Sequence, residues 1–472
     1  MSFNSFGGIW FSLAVLLVYQ LIKGHKNQNI FLLCASLYFY ATSSILFSSL
    51  LFATIYIGFT SGLIINHALE KGKSARLHVT MSIIAQIITL GIFKYHNFFV
   101  ESFATTLNSF GLNPNFSTLK IILPVGISFY IFQTIGYIID VARKDTKAHS
   151  DIVEFALFVS FFPQLVAGPI ERSKNLLSQI ASPREQVGKK DVTYGVFLII
   201  QGYVKKVVIA DNLAPYVDTI FTYDNISSPI ICVGLLLFAI QIYGDFSGYT
   251  DIARGFSRLL GFRILLNFDR PYAARSPADF WRRWHISLSR WFTEYVYIGL
   301  GGNRSKSALR RNTNVMATMT LSGLWHGASL NFILWGAYHG VVILIGRIVG
   351  KISPNFLKNS TLGTLLSIII TFMISLYGWM YFRITSIDQL IEYNKSLIMR
   401  WDGYNVALSF LAQSAPFLIL WLVLDIVELY WLDVHAQKVK RYRWITLYMG
   451  IMLMIVFILH APDPSSFIYF RF

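Results

Sequence analysis

Charge is scarce in this sequence. Asp, Glu, Lys and Arg make up 14% of its 472 residues, against roughly 25% in an ordinary soluble chain. Hydrophobic residues make up 54%. That is more than one water-facing core can hide, so lipid must cover part of it. Cysteine is scarcer still: there are two, Cys34 and Cys232, each inside an apolar run. This excludes a disulfide framework and a thiolate metal cluster. Neither position has the electropositive, exposed setting of a reactive thiol. Acidic residues number 24 against 40 basic ones, a net charge of +16. In a soluble protein that excess would suggest nucleic acid. Here no arginine-rich low-complexity tail or nucleic-acid motif accompanies it. The better reading is basic cytoplasmic loops against anionic membrane lipid, with no nucleic-acid partner. The chain shows no internal repeat and no soluble stretch large enough to hold its own core.

What it has instead is a succession of apolar runs near spanning length. They lie at 8–22, 29–43, 45–67, 79–94, 119–140, 192–210, 229–245, 313–325, 330–349, 361–382, 407–432 and 443–460. The first has no basic stretch before it and no convincing cleavage site, so it reads as a transmembrane helix rather than a removed signal peptide. Lys23, His25 and Lys26 follow it, and "EKGKSARLH" (70–78) and "ARKDTKAHSD" (142–151) are further basic loops. Their even spacing places them inside and the N-terminus outside. The predicted fold is all-α and polytopic, with about eleven spanning or partly spanning helices.

The middle third departs from this pattern. "FVSFFPQLVAGPIERSK" (158–174) is apolar but interrupted by Pro163, Gly168 and Pro169. Proline removes a helix donor, and such backbone is tolerated at membrane depth only where protein or water satisfies it. Two readings stand: a broken or re-entrant helix lining a cavity, or two short helices joined by an interfacial turn. The stretch 250–312 spreads arginines through aromatic sequence. It is too charged to span lipid, and reads as amphipathic helices at the cytoplasmic interface or dipping into the bundle.

Within it, Ser276, Pro277 and Asp279 mark a helix start. Trp281, Trp284, Leu288, Trp291, Tyr295 and Ile298 then recur at helical spacing. One continuous helix is predicted, with Arg282, Arg283 and Arg290 on its flanks and His285 beside the aromatic face. Downstream, "LSGLWHGASL" (321–330) places His326 in apolar sequence between Gly323 and Gly327. Imidazole exchanges a proton near neutral pH, and an ionisable group inside a membrane segment is a functional candidate by default. The competing reading is an interhelical hydrogen bond. Ser329, Asn331 and His339 follow. His285, His326 and His339 have no metal-ligand spacing, and no serine sits in a nucleophile elbow. Asp245 and Asp251, near Tyr243, Ser247 and Tyr249, are read first as partners of Arg254 and Arg258. Ser128, Tyr130, Gln133 and Tyr137 read as interhelical bonds or as the wall of a polar path.

Eight stretches, met in order from 123 onward, carry a resemblance: "LPVGISFYIFQTIGYIIDV", "FFPQLVAGPIER", "GYVKKVVIADNLAPYVD", "YGDFSGYTDIARG", "NFDRPYAARSPADFWRRWHISLSRW", "GLGGNR", "LSGLWHGASLNFILWGAYHG" and "FIYFRF". The chain resembles the membrane-bound O-acyltransferase family, and within it a bacterial branch that includes the alginate O-acetylation membrane protein. Arg471 stands where glutamine is expected.

The resemblance implies one integral-membrane domain over 1–472. Peripheral helices would occupy 1–118, a catalytic core 119–350 and further helices 351–472, arranged as a ring around a central tunnel. It makes His326, in its "WHG" context, the catalytic histidine. It places His285 where many relatives carry a polar residue, often asparagine. Arg282 and Arg283 become candidate contacts for an anionic donor, and Trp325, Asn331, Asp245, Tyr249 and Gln133 candidate substrate contacts. The implied reaction is acetyl transfer from a cytoplasmic thioester, acetyl-CoA above all, for O-acetylation of a cell-surface polysaccharide. An extracytoplasmic partner of the SGNH-hydrolase type and a bacterial cytoplasmic membrane location are implied with it. D-alanyl transfer from an acyl carrier protein to teichoic acid, and a non-enzymatic transporter or scaffold, are the alternatives.

Overall fold

The computed structural model describes residues 3, 5–112, 123–223, 226–352, 360–433, 438–439, 444–462 and 467–468. Arg471 lies outside them. Among the described residues the strands Leu432–Asp433 and Lys438–Val439 pair antiparallel, and the other regular elements are helices. The main ones are α1 (Phe6–Leu21), α2 (His25–Ala41), α3 (Ile45–Glu70), α4 (Arg76–Ser109), α5 (Ile127–Ala142) and α6 (Ile152–Ser160). They continue with α7 (Lys189–Ile220), α8 (Ser228–Leu259), α9 (Pro277–Arg283), α10 (Ile286–Trp291), α11 (Ala308–His326) and α12 (Leu330–Ile352). The last four are α13 (Thr361–Arg383), α14 (Ile387–Met399), α15 (Tyr404–Trp431) and α16 (Ile445–Leu459).

Seven of these, α3, α4, α7, α8, α12, α13 and α15, are long and apolar enough to cross a membrane, and α1, α5 and α16 are shorter apolar helices. Their surfaces explain the excess of hydrophobic residues. Ile419, Leu422, Val423 and Ile426 of α15 are all exposed, as are Ile84, Ile87 and Ile88 of α4. Stripes of this kind suit lipid and not water. Serine and aspartate start many of the helices by accepting an otherwise orphaned backbone N–H. Ser5 accepts from Gly8 at 3.1 Å, Asp151 from Val153 at 2.8 Å, and Ser276 from Asp279 at 3.1 Å.

The packing divides the chain into two compact units, Met1–Gln186 with Leu260–Ile264, and Val187–Leu259 with Leu265–Phe472. In the first, 158–174 is broken as its prolines demand. α6 ends at Ser160, a short helix follows at Phe162–Leu165, and a wider π-wound turn forms at Ser173–Leu177. Gln133 on α5 closes this break. Its amide N–H donates to the Phe158 carbonyl at 2.6 Å, and its oxygen accepts from Gln164 at 3.1 Å. Tyr137, one turn on, accepts from the His149 backbone at 2.9 Å.

In the second unit, α8 does not stop where its apolar run does. It continues through "YGDFSGYTDIARG" to Leu259, because the charges there are satisfied by α7. Lys205 and Lys206 lie on a π-wound segment of α7, Val204–Ala210, and both are buried. Lys205 pairs with Asp251 at 2.7 Å and with Glu428; Lys206 pairs with Asp211 and Asp245, each at 2.7 Å. The pairing expected between Asp251 and Arg254 is present at 3.5 Å, whereas Arg258 pairs with Asp191 at 2.7 Å. The two lysines are therefore the main counter-charges of Asp245 and Asp251. Cys34 on α2 and Cys232 on α8 are exposed, unlike the unexposed setting expected of them.

Candidate active site

The predicted helix across 276–298 is interrupted at the second position of its stripe, Trp284. α9 ends at Arg283, Trp284 is extended, and His285 adopts a φ of +42°. α10 restarts at Ile286 and passes into a π-wound turn, Phe292–Tyr297. The break comes from outside the helix. The Asp269 N–H donates to the Arg283 carbonyl at 3.0 Å, and the Ile286 N–H to the Asn267 carbonyl at 2.9 Å. The Asn267 side-chain oxygen accepts from the Ser287 N–H at 3.3 Å and from its hydroxyl at 2.6 Å. Residues 267–269 thus clamp the chain on both sides of His285.

His326 is the last residue of α11. Gly327 after it is extended, so the helix stops there. The flanking glycines let α12 come close: a Cβ on Gly323 would lie 2.1 Å from the Phe332 carbonyl oxygen, and one on Gly327 would strike the Phe332 ring at 2.0 Å. No larger residue fits either place. This return brings Trp335 against His326, with ring centroids 4.9 Å apart.

Both histidines are buried in the second unit, His285 at 0% and His326 at 3% exposure. Their ring centroids lie 6.5 Å apart. Trp325 touches both, at 5.8 Å and 4.9 Å. Phe382 closes on His326 at 5.4 Å, and Phe246 meets His285 edge-on at 4.7 Å. His339 lies on the far side of Trp335, 4.9 Å from that ring, and packs flat on Phe280. Trp335 contacts both His326 and His339, and the three imidazoles converge on no common point. Burial alone pushes His285 down to about 3, so it stays neutral through the physiological range.

Other singled-out residues fall in four groups. Trp325 belongs to the pocket itself. Asp245 and Tyr249 lie behind it on α8. Asp245 accepts from the Ile468 N–H at 2.6 Å, and the Tyr249 and Phe246 rings both pack on Phe467. Asn331 is a staple between helices, its amide donating to the Ile384 carbonyl just after α13. Gln133 belongs to the first unit.

The two arginines differ. Arg283 is engaged, with Asp279 at 3.2 Å and the Asp269 carbonyl at 3.3 Å. Arg282 is exposed, makes a longer contact to Asp279 at 3.3 Å, and lines a cleft of about 570 Å³. Trp281, Ile286, Arg290, Ser322 and Arg347 line the same cleft. Ile286 follows His285 directly, and Ser322 lies one turn before His326 on the same helix face. Arg290 was legible as a flanking arginine. Arg347 and Asn267 were not, because only packing brings them here.

Comparison with known proteins places the chain in a family. The chain is 39% identical over 411 residues to the probable alginate O-acetylase AlgI of Pseudomonas aeruginosa, covering 87% of this chain and 75% of that one. It is 33% identical to the peptidoglycan O-acetyltransferase of Helicobacter pylori, covering 84% and 79%. A teichoic acid D-alanyltransferase of Bacillus subtilis is 27% identical over a shorter stretch, 55% of this chain and 68% of that one. The family model for membrane-bound O-acyltransferases matches residues 32–387, a span that includes α8, both buried histidines and the cleft. This chain is a multi-pass membrane protein of the membrane-bound O-acyltransferase family.

Proposed function

We propose that this enzyme moves acetyl groups from a cytoplasmic thioester, acetyl-CoA, across the bacterial cytoplasmic membrane for O-acetylation of a cell-surface polysaccharide. One observation carries the reading: two buried imidazoles, His285 and His326, lie 6.5 Å apart among aromatic rings. His326 accepts the proton of the acceptor hydroxyl as its oxygen attacks the thioester carbonyl. The carbon–sulfur bond breaks, and the proton passes on to the leaving thiolate. The products are an ester and a free thiol. His285 orients the partners or delivers the proton at the sulfur end. The surrounding rings exclude water and so limit thioester hydrolysis. The donor's phosphates meet Arg282, Arg290 and Arg347 at the cleft, since guanidinium groups bind phosphate by charge and paired hydrogen bonds. Arg283, committed to Asp279 and Asp269, holds α9 in place. The acetyl group then passes to the glycan through an extracytoplasmic partner of the SGNH-hydrolase type.

The test is turnover of acetyl-CoA by purified protein, read as release of free coenzyme A thiol, beside surface acetylation of cells. His326→Ala, expressed normally, is expected to lower both by about 10²- to 10⁴-fold. Undiminished acetylation in that variant would favour a non-enzymatic scaffold. Turnover confined to a D-alanyl carrier thioester would favour teichoic acid as acceptor. Arg347→Gln and Arg290→Gln are expected to raise the KM for acetyl-CoA and leave kcat near wild type.

A further inference from the structure

We propose that Asn267 is a positioning residue for His285: it holds the histidine in its left-handed turn and so aims the ring at His326. The inference rests on the reading of His285 as a working imidazole. Among the described residues only Lys144, Arg270 and His285 adopt a positive φ without being glycine. A histidine pays for that conformation in steric strain, and such strain persists only where the surroundings enforce it. Here the enforcing groups are identified. Asn267 accepts three times from the two residues after His285, through its carbonyl and its side chain, at 2.9, 3.3 and 2.6 Å. Asn267 and His285 are both at 0% exposure and Ser287 at 2%, so water does not compete for these bonds.

The alternative conformation is encoded in the same stretch. The helical spacing from Trp281 to Ile298 favours one unbroken helix, in which residue 285 would take ordinary helical dihedrals. A Cβ that leaves the backbone from a left-handed position points in a different direction from one on a continuous helix. The ring would then leave its place against Phe246 and Trp325. Asn267 therefore decides between two settings of His285 without itself reaching the acetyl group. An aspartate at 267 keeps the accepting oxygen, whereas an alanine does not.

The experiment is a double-mutant cycle on purified enzyme with acetyl-CoA, scored as kcat, donor KM and thermal unfolding. Asn267→Ala is expected to lower kcat about 10²-fold, the scale of an ångström misplacement, with the donor KM unchanged. Ser287→Ala is expected to fall between that variant and wild type, and Asn267→Asp to recover most of the loss. In a His285→Ala background, Asn267→Ala is expected to cost nothing further, since its effect runs through the missing ring. Losses that multiply in the double variant would overturn the inference, as would a raised KM at intact kcat. If Asn267→Ala does not fold, Ser287→Ala carries the same cycle. His285→Ala at wild-type kcat would instead sink the catalytic reading of His285, and the inference with it. A slow His285→Ala beside an additive Asn267→Ala sinks the positioning role alone.

Discussion

The second unit buries polar chemistry in two places, and it does so by opposite means. Between α7, α8 and α15, Lys205 and Lys206 each contact two carboxylates, and Arg254 joins them. Around His285 and His326 the ring contacts are Trp325, Trp335, Phe246 and Phe382. In the first place, charge is kept and neutralised by charge. In the second, burial keeps the His285 ring uncharged. A buried ion pair contributes little net stability, but removing one partner is costly. A buried neutral base likewise adds little to folding, but it keeps a lone pair for chemistry. The ionic cluster is therefore read as scaffold and the aromatic pocket as workplace.

The strongest way to break that comparison is His326→Ala. It should lower acyl transfer by about 10²- to 10⁴-fold, with only the modest fall in unfolding temperature that an emptied buried site brings. A large fall in unfolding temperature would make His326 part of the scaffold instead. Next comes Lys206→Met, which strands Asp211 and Asp245. About 3–5 kcal/mol of stability should be lost, seen as poor yield and early unfolding in detergent. Adding Asp245→Asn should recover part of it. Unchanged stability would mean that the cluster is not holding α7 to α8.

A smaller effect sharpens the pocket side. His285 takes up its proton far below the ordinary histidine value near 6.5. Below pH 6.5 the unfolded chain binds a proton that the folded chain refuses, so stability falls as pH drops from there. The slope is about 1 kcal/mol per pH unit, and comparison of wild type with His285→Asn in pH-dependent unfolding isolates it. An identical slope in both would show that the ring is not buried neutral. The smallest effect is at Asn331. Replacing it with Ala removes the bond to Ile384 and should cost about 1–2 kcal/mol, with kcat unaltered. A fall in kcat without destabilisation would return Asn331 to the substrate contacts.

Much of this was legible from one dimension. The apolar runs marked most of the spans, because lipid demands length and composition that any window detects. His326 stood out because an ionisable side chain in apolar sequence needs a reason. The turn at His285 did not stand out. The Trp281–Ile298 periodicity is sound as a local signal, and it is overridden by hydrogen bonds donated to Asn267, 20 residues before Ser287. α8 was cut short for the same reason. Its glycines, aspartates and arginines look like a helix end until Lys205, 46 residues before Asp251, supplies the missing charge. Hydropathy reports what a residue avoids. It does not report which distant group will satisfy it.

The scarcity of cysteine has a practical side. Cys34 lies in the first compact unit and Cys232 in the second, and both are exposed. The unmodified chain thus carries one thiol on each unit and no others. A single reaction with a membrane-permeant spin label or fluorophore therefore produces a matched pair of reporters. Their separation can be followed as acetyl-CoA is added, without engineering a cysteine-free background first.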